Sequence, residues 1–223
     1  MIGLVAALPR ELAGLTRGVK PDAALRRRGV FLYRLDQGMA VAAGMGAERA
    51  TMAVRALLER EEKVSTLVSV GLAGSCDAQV KAGAVLELAT VVDTLSGARF
   101  TALCGDGTLA TTSSIASVME KARLRASYGA SVVDMEAATV ARLAQGNGLK
   151  FRAIKAISDG HEFELASLSR FASAHGHFRT GAFALHTAVR PRSWKHAVEL
   201  GRGSQRALRA LEDRLRRVLL EQD

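Results

Sequence analysis

The sequence predicts a single α/β domain with a mostly parallel or mixed central sheet flanked by helices. Short runs rich in Val, Ile and Leu recur without the polar alternation of a half-exposed strand, as strands covered on both faces do. Those runs alternate with segments of helical spacing. A chain of 223 residues with 48% hydrophobic content is also long enough for one sizeable core.

In chain order, "MIGLVAAL" is a buried strand, and "VFLYRL" and "MAVAAG" are two strands joined by a turn at Asp36, Gln37 and Gly38. "GAERATMAVRALLERE" is a helix, "VSTLVSVGLAG" a strand ending in glycines, and "AVLELATVVDT" one further strand. The helix "SIASVMEKARLRAS" leads to the strand "SVVDM", the helix "EAATVARLAQGN" and the strand "KFRAIKAISD". In open α/β sheets the ligand lies beyond the carboxyl ends of the strands. Four such ends carry polar residues or glycine: Pro9 to Glu11, Gly71 to Gly74, Asp134 with Glu136, and Asp159. Taken singly, Asp134 and Asp159 read equally well as helix or turn caps.

A net charge of +9 favours anionic partners, either phosphate, nucleic acid or acidic lipid. Aromatic residues make up only 4% of the chain and do not interleave with the basic ones, so stacking on single-stranded nucleic acid is unsupported and no nucleic-acid partner is expected. Cys76 and Cys104 lie far apart without a CxxC, and His161, His175, His177, His186 and His196 form no ligand spacing, which predicts neither disulfide nor metal site. The first apolar run lacks preceding basic residues and is broken at Pro9, Arg10 and Glu11; neither a signal peptide nor a spanning helix is predicted, and the expected setting is cytoplasmic.

The segments "IGLVAALPRE", "GMGAERA", "VSVGLAGSCDAQVKAGAVLEL" and "VVDMEAATVARLAQGNGLKFRAIKAISD" resemble the nucleoside phosphorylase and nucleosidase superfamily from residue 2 to about 160. The tail "FELASLSRFASAHGHFRTGAFALHTAVRPRSW" is similar to the branch of hopanoid-associated phosphorylases, thought to remove adenine from adenosylhopane. The resemblance implies a nucleoside phosphorylase-like domain over 1–223, no cofactor beyond inorganic phosphate as co-substrate, a small-molecule or lipid-linked purine nucleoside as partner, and a homo-oligomer, typically a dimer.

It also implies roles for individual residues. Asp159 would assist the departing purine at N7 as a general acid, with Ser158 orienting it. Glu136 would bind the ribose hydroxyls and favour the positive charge building on the sugar, with Met135 against the ribose face and Asp134 in support. Leu72, Ala73 and Gly74 match a glycine turn beside the base, where small residues let backbone approach a flat ring, though such a turn is also an ordinary strand end. Glu11 matches the glutamate that positions water in the nucleosidases.

The nucleophile stays open. Gly46, at the start of the helix after "GMG", together with Arg10 and Arg49, would hold phosphate. Hexameric purine phosphorylases, however, carry an arginine and a serine around the glycine turn, where this chain has Ser69 and Leu72. Water with Glu11 is therefore the alternative. The stretch Val92 to Ala130 is shorter than its counterpart in the nucleosidases, and Ile115 stands where an aromatic would stack on the purine. A shortened wall would admit a bulky 5′ group or else leave a silent nucleoside- or lipid-binding protein.

The stretch 190–223 predicts a basic C-terminal helical extension. Leu208, Leu211, Leu215, Val218 and Leu219 fall at helical spacing among Arg206, Arg209, Arg214, Arg216 and Arg217. Such a stripe either packs on the core or lies on an anionic membrane at the inner face of the cell, where Trp194, Arg190, Arg192 and Lys195 would join it.

Overall fold

The computed structural model describes residues 1–164 and 194–221. Among these residues ten strands form one mixed sheet. Strand β1 (Ile2–Ala6) runs parallel to β3 (Gly38–Ala42) on one side and to β4 (Thr66–Ser75) on the other. Strand β2 (Phe31–Leu35) forms an antiparallel hairpin with β3. Strand β10 (Lys150–Asp159) is parallel to β4, and the short β5 (Val85–Glu87) is antiparallel to β10. Strand β9 (Ala130–Asp134) meets the end of β4 antiparallel; β8 (Thr108–Thr111) and β6 (Thr90–Asp93) follow in parallel, and β7 (Arg99–Thr101) pairs antiparallel with β6.

Helices make several of the connections between strands. Helix α1 (Ala23–Arg27) precedes β2, α2 (Ala47–Arg60) joins β3 to β4, α3 (Val118–Tyr128) joins β8 to β9, and α4 (Ala137–Gly146) joins β9 to β10. The run expected as one strand, "AVLELATVVDT", is two. Its first part stays beside β10, where Leu86 pairs with Lys155, and its second turns away at Leu88 and Ala89 to pair with β8. Strands β7 and β8 were not predicted, because three or four residues are too few to display a period.

The core lies on both faces of the sheet. Val54 and Leu57 of α2 and Val140, Ala141 and Ala144 of α4 pack on one face with Val5 and Leu67. On the other, Ala207, Leu211, Leu215 and Val218 of α5 (Trp194–Leu220) pack against Leu4, Val68, Val70, Ile154 and Ala156. Thus the predicted C-terminal extension is a layer of the domain rather than an appendage. Its apolar stripe faces the sheet, so the described part of α5 leaves no such stripe for a lipid surface. Arg190 and Arg192, the side chains of Trp194, Lys195 and His196, and His175, His177 and His186 lie outside the described residues, as does most of the tail that resembles the hopanoid branch. Leu211 is fully buried, so Leu211→Ala is expected to lower stability by about 2 to 5 kcal/mol in urea unfolding. An unchanged midpoint would mean that α5 is not part of the cooperative fold.

The topology brings four chain segments to one place. Gly74 of β4 pairs with Val133 of β9 on one side and with Asp159 of β10 on the other. The β10 ladder shifts between Ile157 and Asp159, which places Ser158 in an irregularity of the kind that re-aims side chains beside sites.

Candidate active site

A cavity of about 550 Å³ opens at this junction. It is lined by Arg10 and Glu11 after β1, by Leu72, Ala73 and Gly74 of β4, by Ile115 before α3, by Asp134, Met135 and Glu136 after β9, and by Ser158 and Asp159 of β10. Of the residues singled out in the sequence, Gly46 and Arg49 do not line it. Gly46 instead donates its N–H to Glu136 Oε1 at 2.7 Å, and Arg49 reaches Met52 Sδ at 3.9 Å within α2. The Gly46 N–H is thus engaged by a carboxylate in this structure.

Glu11 sits in a single 3-10 turn, Pro9–Glu11, and is buried. Its Oε2 accepts N–H bonds from Ala7 and Leu8, at 3.1 and 2.8 Å, and its Oε1 accepts one from Leu72 at 2.9 Å. Gly71 has φ +131°, and a Cβ there would come within 2.9 Å of Glu11 Oε1, so this position requires glycine. Burial raises the Glu11 pKa, opposed by the Leu72 and Leu8 N–H groups and by the charges of Lys155 and Arg10.

Glu136 begins α4 without capping it. One oxygen holds Gly46 N–H, and the other has no hydrogen-bond partner among the described residues. Removal from water pushes its pKa up to about 8; Asp134 and Glu11 add to the rise, while Lys155 and Gly46 N–H oppose it. The result is a cavity carboxyl with a free acceptor site, suited to hydroxyl donors once ionised.

Asp134 is largely a structural group. Its Oδ1 accepts from Thr111 Oγ1 at 2.8 Å, and its Oδ2 accepts from Ala137 N at the start of α4 at 3.0 Å. Oδ2 also pairs with Lys155 Nζ at 2.8 Å, both side chains being 1% exposed, and Lys155 donates to Ser69 Oγ at 2.9 Å. The capping alternative therefore describes Asp134, which in addition carries a buried ion pair under the cavity floor. The capping alternative does not describe Asp159, whose oxygens both accept from side chains: Ser158 Oγ at 2.5 Å on Oδ1, and Lys121 Nζ at 2.5 Å on Oδ2.

Sequence reading did not single out Lys121 or Lys155. A signal existed for Lys155, a lysine inside an apolar strand four residues before Asp159. None existed for Lys121, which sits on a helix with other charged residues yet is 1% exposed and paired with Asp159. Met45 and, from α5, Gly201, Ser204, Gln205 and Leu208 also line the cavity unpredicted. Helix α5 comes close here because Gly203 has no side chain: a Cβ would lie 3.0 Å from Ser158 O.

Among the described residues no group of three His, Cys, Asp or Glu side chains is placed to hold a metal ion, and no described helix is long and apolar enough to cross a membrane. His161 lies 3.4 Å from Glu162, and Cys76 and Cys104 are free thiols.

The family model described as phosphorylase superfamily matches residues 98–183, a stretch containing Lys121, Asp134, Glu136 and Asp159. No curated relative matches the chain in sequence. Among solved structures the chain is similar to 5′-methylthioadenosine/S-adenosylhomocysteine nucleosidase from Helicobacter pylori, solved with butyl-thio-DADMe-Immucillin-A, at TM-score 0.70 and 15% identity, covering 99% of this chain and 98% of that one. The apo 5′-methylthioadenosine nucleosidase of Arabidopsis thaliana gives TM-score 0.71 and 15% identity, with 100% and 96% covered. The futalosine hydrolase of Helicobacter pylori gives 0.61 and 20%, with 84% and 96% covered. At these identities the likeness is one of fold.

Proposed function

From a chain with the nucleoside phosphorylase and nucleosidase fold, and with that superfamily's sequence pattern over residues 98–183, we propose that it cleaves the N-glycosidic bond of a 5′-substituted purine nucleoside. One observation carries this reading: two carboxyl groups of different character, Asp159 and Glu136, line one cavity from the ends of the two strands that flank β4. Asp159, held by Ser158 and Lys121, faces the leaving base as the acid. Glu136, with a free oxygen, binds the ribose hydroxyls and stabilises the positive charge that grows on the sugar as the bond to the base breaks. The similar solved structures from Helicobacter pylori and Arabidopsis thaliana, named as nucleosidases and a hydrolase, support the same bond class.

Charge favours water over phosphate as the nucleophile. Asp159 and Asp134 are each neutralised by a buried lysine, which leaves Glu11 and Glu136 as the unpaired carboxyls of the cavity. A phosphate entering beside them meets like charge once either is ionised, whereas a water gives its proton to Glu11 in its carboxylate form. Phosphorolysis, including that of adenosylhopane, is a second reading. It is favoured by Arg10, a lining cation with no ion-pair partner among the described residues, and by the apolar lining from Leu8, Ile115, Ala116 and Leu208, which suits a hydrocarbon 5′ group.

The test is adenine release from adenosine and from a 5′-alkylthioadenosine, each with and without inorganic phosphate. The expected result is release at the same rate in both media, with a free reducing sugar as the second product. Strict phosphate dependence with a sugar 1-phosphate product would replace water by phosphate, and absence of release from either nucleoside would overturn glycosidic cleavage.

A further inference from the structure

We propose that Lys121 is the positioning residue and proton store of the acid at this site, so that the leaving base is protonated by the Lys121–Asp159 pair rather than by a lone carboxyl. This rests on the glycosidic reading of the cavity.

Both oxygens of Asp159 have a donor in reach, Ser158 Oγ on Oδ1 and Lys121 Nζ on Oδ2, so a proton the carboxyl passes on is replaced from Lys121 across one hydrogen bond. Lys121 has all three donors engaged: Asp159 Oδ2, Gly160 O at 2.9 Å and Phe163 O at 3.1 Å. Its ammonium is therefore fixed in direction, at the cavity wall and away from bulk water.

Space for the pair is provided by Gly74, where a Cβ would stand 3.1 Å from Asp159 Oδ2 and 3.2 Å from Lys121 Cε. A buried ion pair is a costly way to fill a core, and an apolar pair of the same volume would serve stability as well or better. What it adds is a proton within one hydrogen bond of the acid.

The surrounding groups leave the pair as the local acid. Glu120 is paired with Arg123, and Arg125 with Asp77. Cys76, just past the end of β4, has its thiol pushed up to about 12 by burial, so it adds no charge near neutrality.

The proposed step balances as follows. As the bond from C1′ to the base nitrogen breaks, its electron pair goes to the purine, and N7 takes a proton from Asp159. Asp159 takes one from Lys121 Nζ, which becomes a neutral amine. Water adds to C1′, and the proton it loses passes through Glu11 to solvent, from which Lys121 is recharged when the products leave. Ser158 can follow the change, because its single hydroxyl hydrogen has two acceptors in reach, Asp159 Oδ1 at 2.5 Å and Ala73 O at 3.2 Å.

The experiment compares two leaving groups in Lys121→Met. Purine departs only when protonated, whereas p-nitrophenolate leaves a p-nitrophenyl β-D-ribofuranoside without a proton. The expected result is a fall in kcat of about ten- to a hundredfold on the purine nucleoside with KM little changed, and a change of less than about threefold on the nitrophenyl riboside. Equal losses on both substrates, or no loss on either, would overturn the proposal.

Lys121→Met leaves Asp159 unpaired in the interior and can fail to fold, so the double variant Lys121→Met/Asp159→Asn, in which both charges are removed together, is measured beside Asp159→Asn alone. If Lys121 acts through Asp159, the double variant is no slower than the single one; a further loss overturns the proposal. A wild-type chain that releases neither leaving group would remove the glycosidic reading itself, and this role with it.

Discussion

Asp159→Asn is expected to slow the chemical step on a purine nucleoside by about two to four orders of magnitude, the range a positioned general acid contributes. A carboxamide keeps the shape of the side chain and can still accept from Lys121, but it cannot carry a proton from that lysine to the base. The loss therefore falls on kcat rather than on KM. Lys121 is 1% exposed and would lose the carboxylate it pairs with, so the variant should also be less stable by about 3 kcal/mol, in line with breaking buried pairs. Rates are accordingly compared per folded molecule, with circular dichroism as the control. Single-turnover adenine release measures the step directly. A variant that keeps wild-type rates would show that Asp159 is only the lysine's counter-ion.

Glu136→Gln is expected to lower kcat/KM by about a hundred- to a thousandfold, comparable to removing one group that stabilises transition-state charge. A carboxylate accepts two ribose hydroxyls and stabilises positive charge on the sugar, whereas an amide accepts fewer and carries no charge to stabilise it. The pH dependence carries the signature. Because burial and the neighbouring Asp134 push Glu136 up to about 8, the wild-type kcat/KM should climb with pH through that region as the carboxylate forms. The variant should lack this limb.

Stability should move the other way. The folded state holds the Glu136 proton above the ordinary carboxylate value of 4.5. It therefore binds more protons than the unfolded chain between that value and about 8, and stability declines as pH rises across this window. Glu136→Gln removes most of the decline, with a smaller slope left by Glu11, whose value is also raised by burial. Thermal midpoints at pH 6 and pH 9 would read this directly. A variant whose midpoint falls with pH as steeply as the wild type would place the titration elsewhere. Gain of stability with loss of activity is the behaviour of a group kept at a cost for function.

The sequence by itself determined the α/β class, the order of the longer strands and helices, and the strand ends that carry Glu11, Leu72, Glu136 and Asp159. These are local properties: unbroken apolar runs mark buried strands, and polar residues at their ends have nowhere to go but a cleft. Tertiary structure alone decided the rest. Whether "AVLELATVVDT" is one strand or two depends on which neighbour each half pairs with, and β10 and β8 lie far along the chain. Whether the apolar stripe of α5 meets lipid or sheet depends on the surface that β4 and β10 present to it. Lys121 looks like a surface charge in the sequence and Lys155 merely interrupts an apolar strand; they become the inner partners of Asp159 and Asp134 only when residues 38 and 21 positions away fold against them. A charge's meaning is set by what neutralises it and by how much water remains around it, and both belong to the packed molecule rather than to the order of its residues.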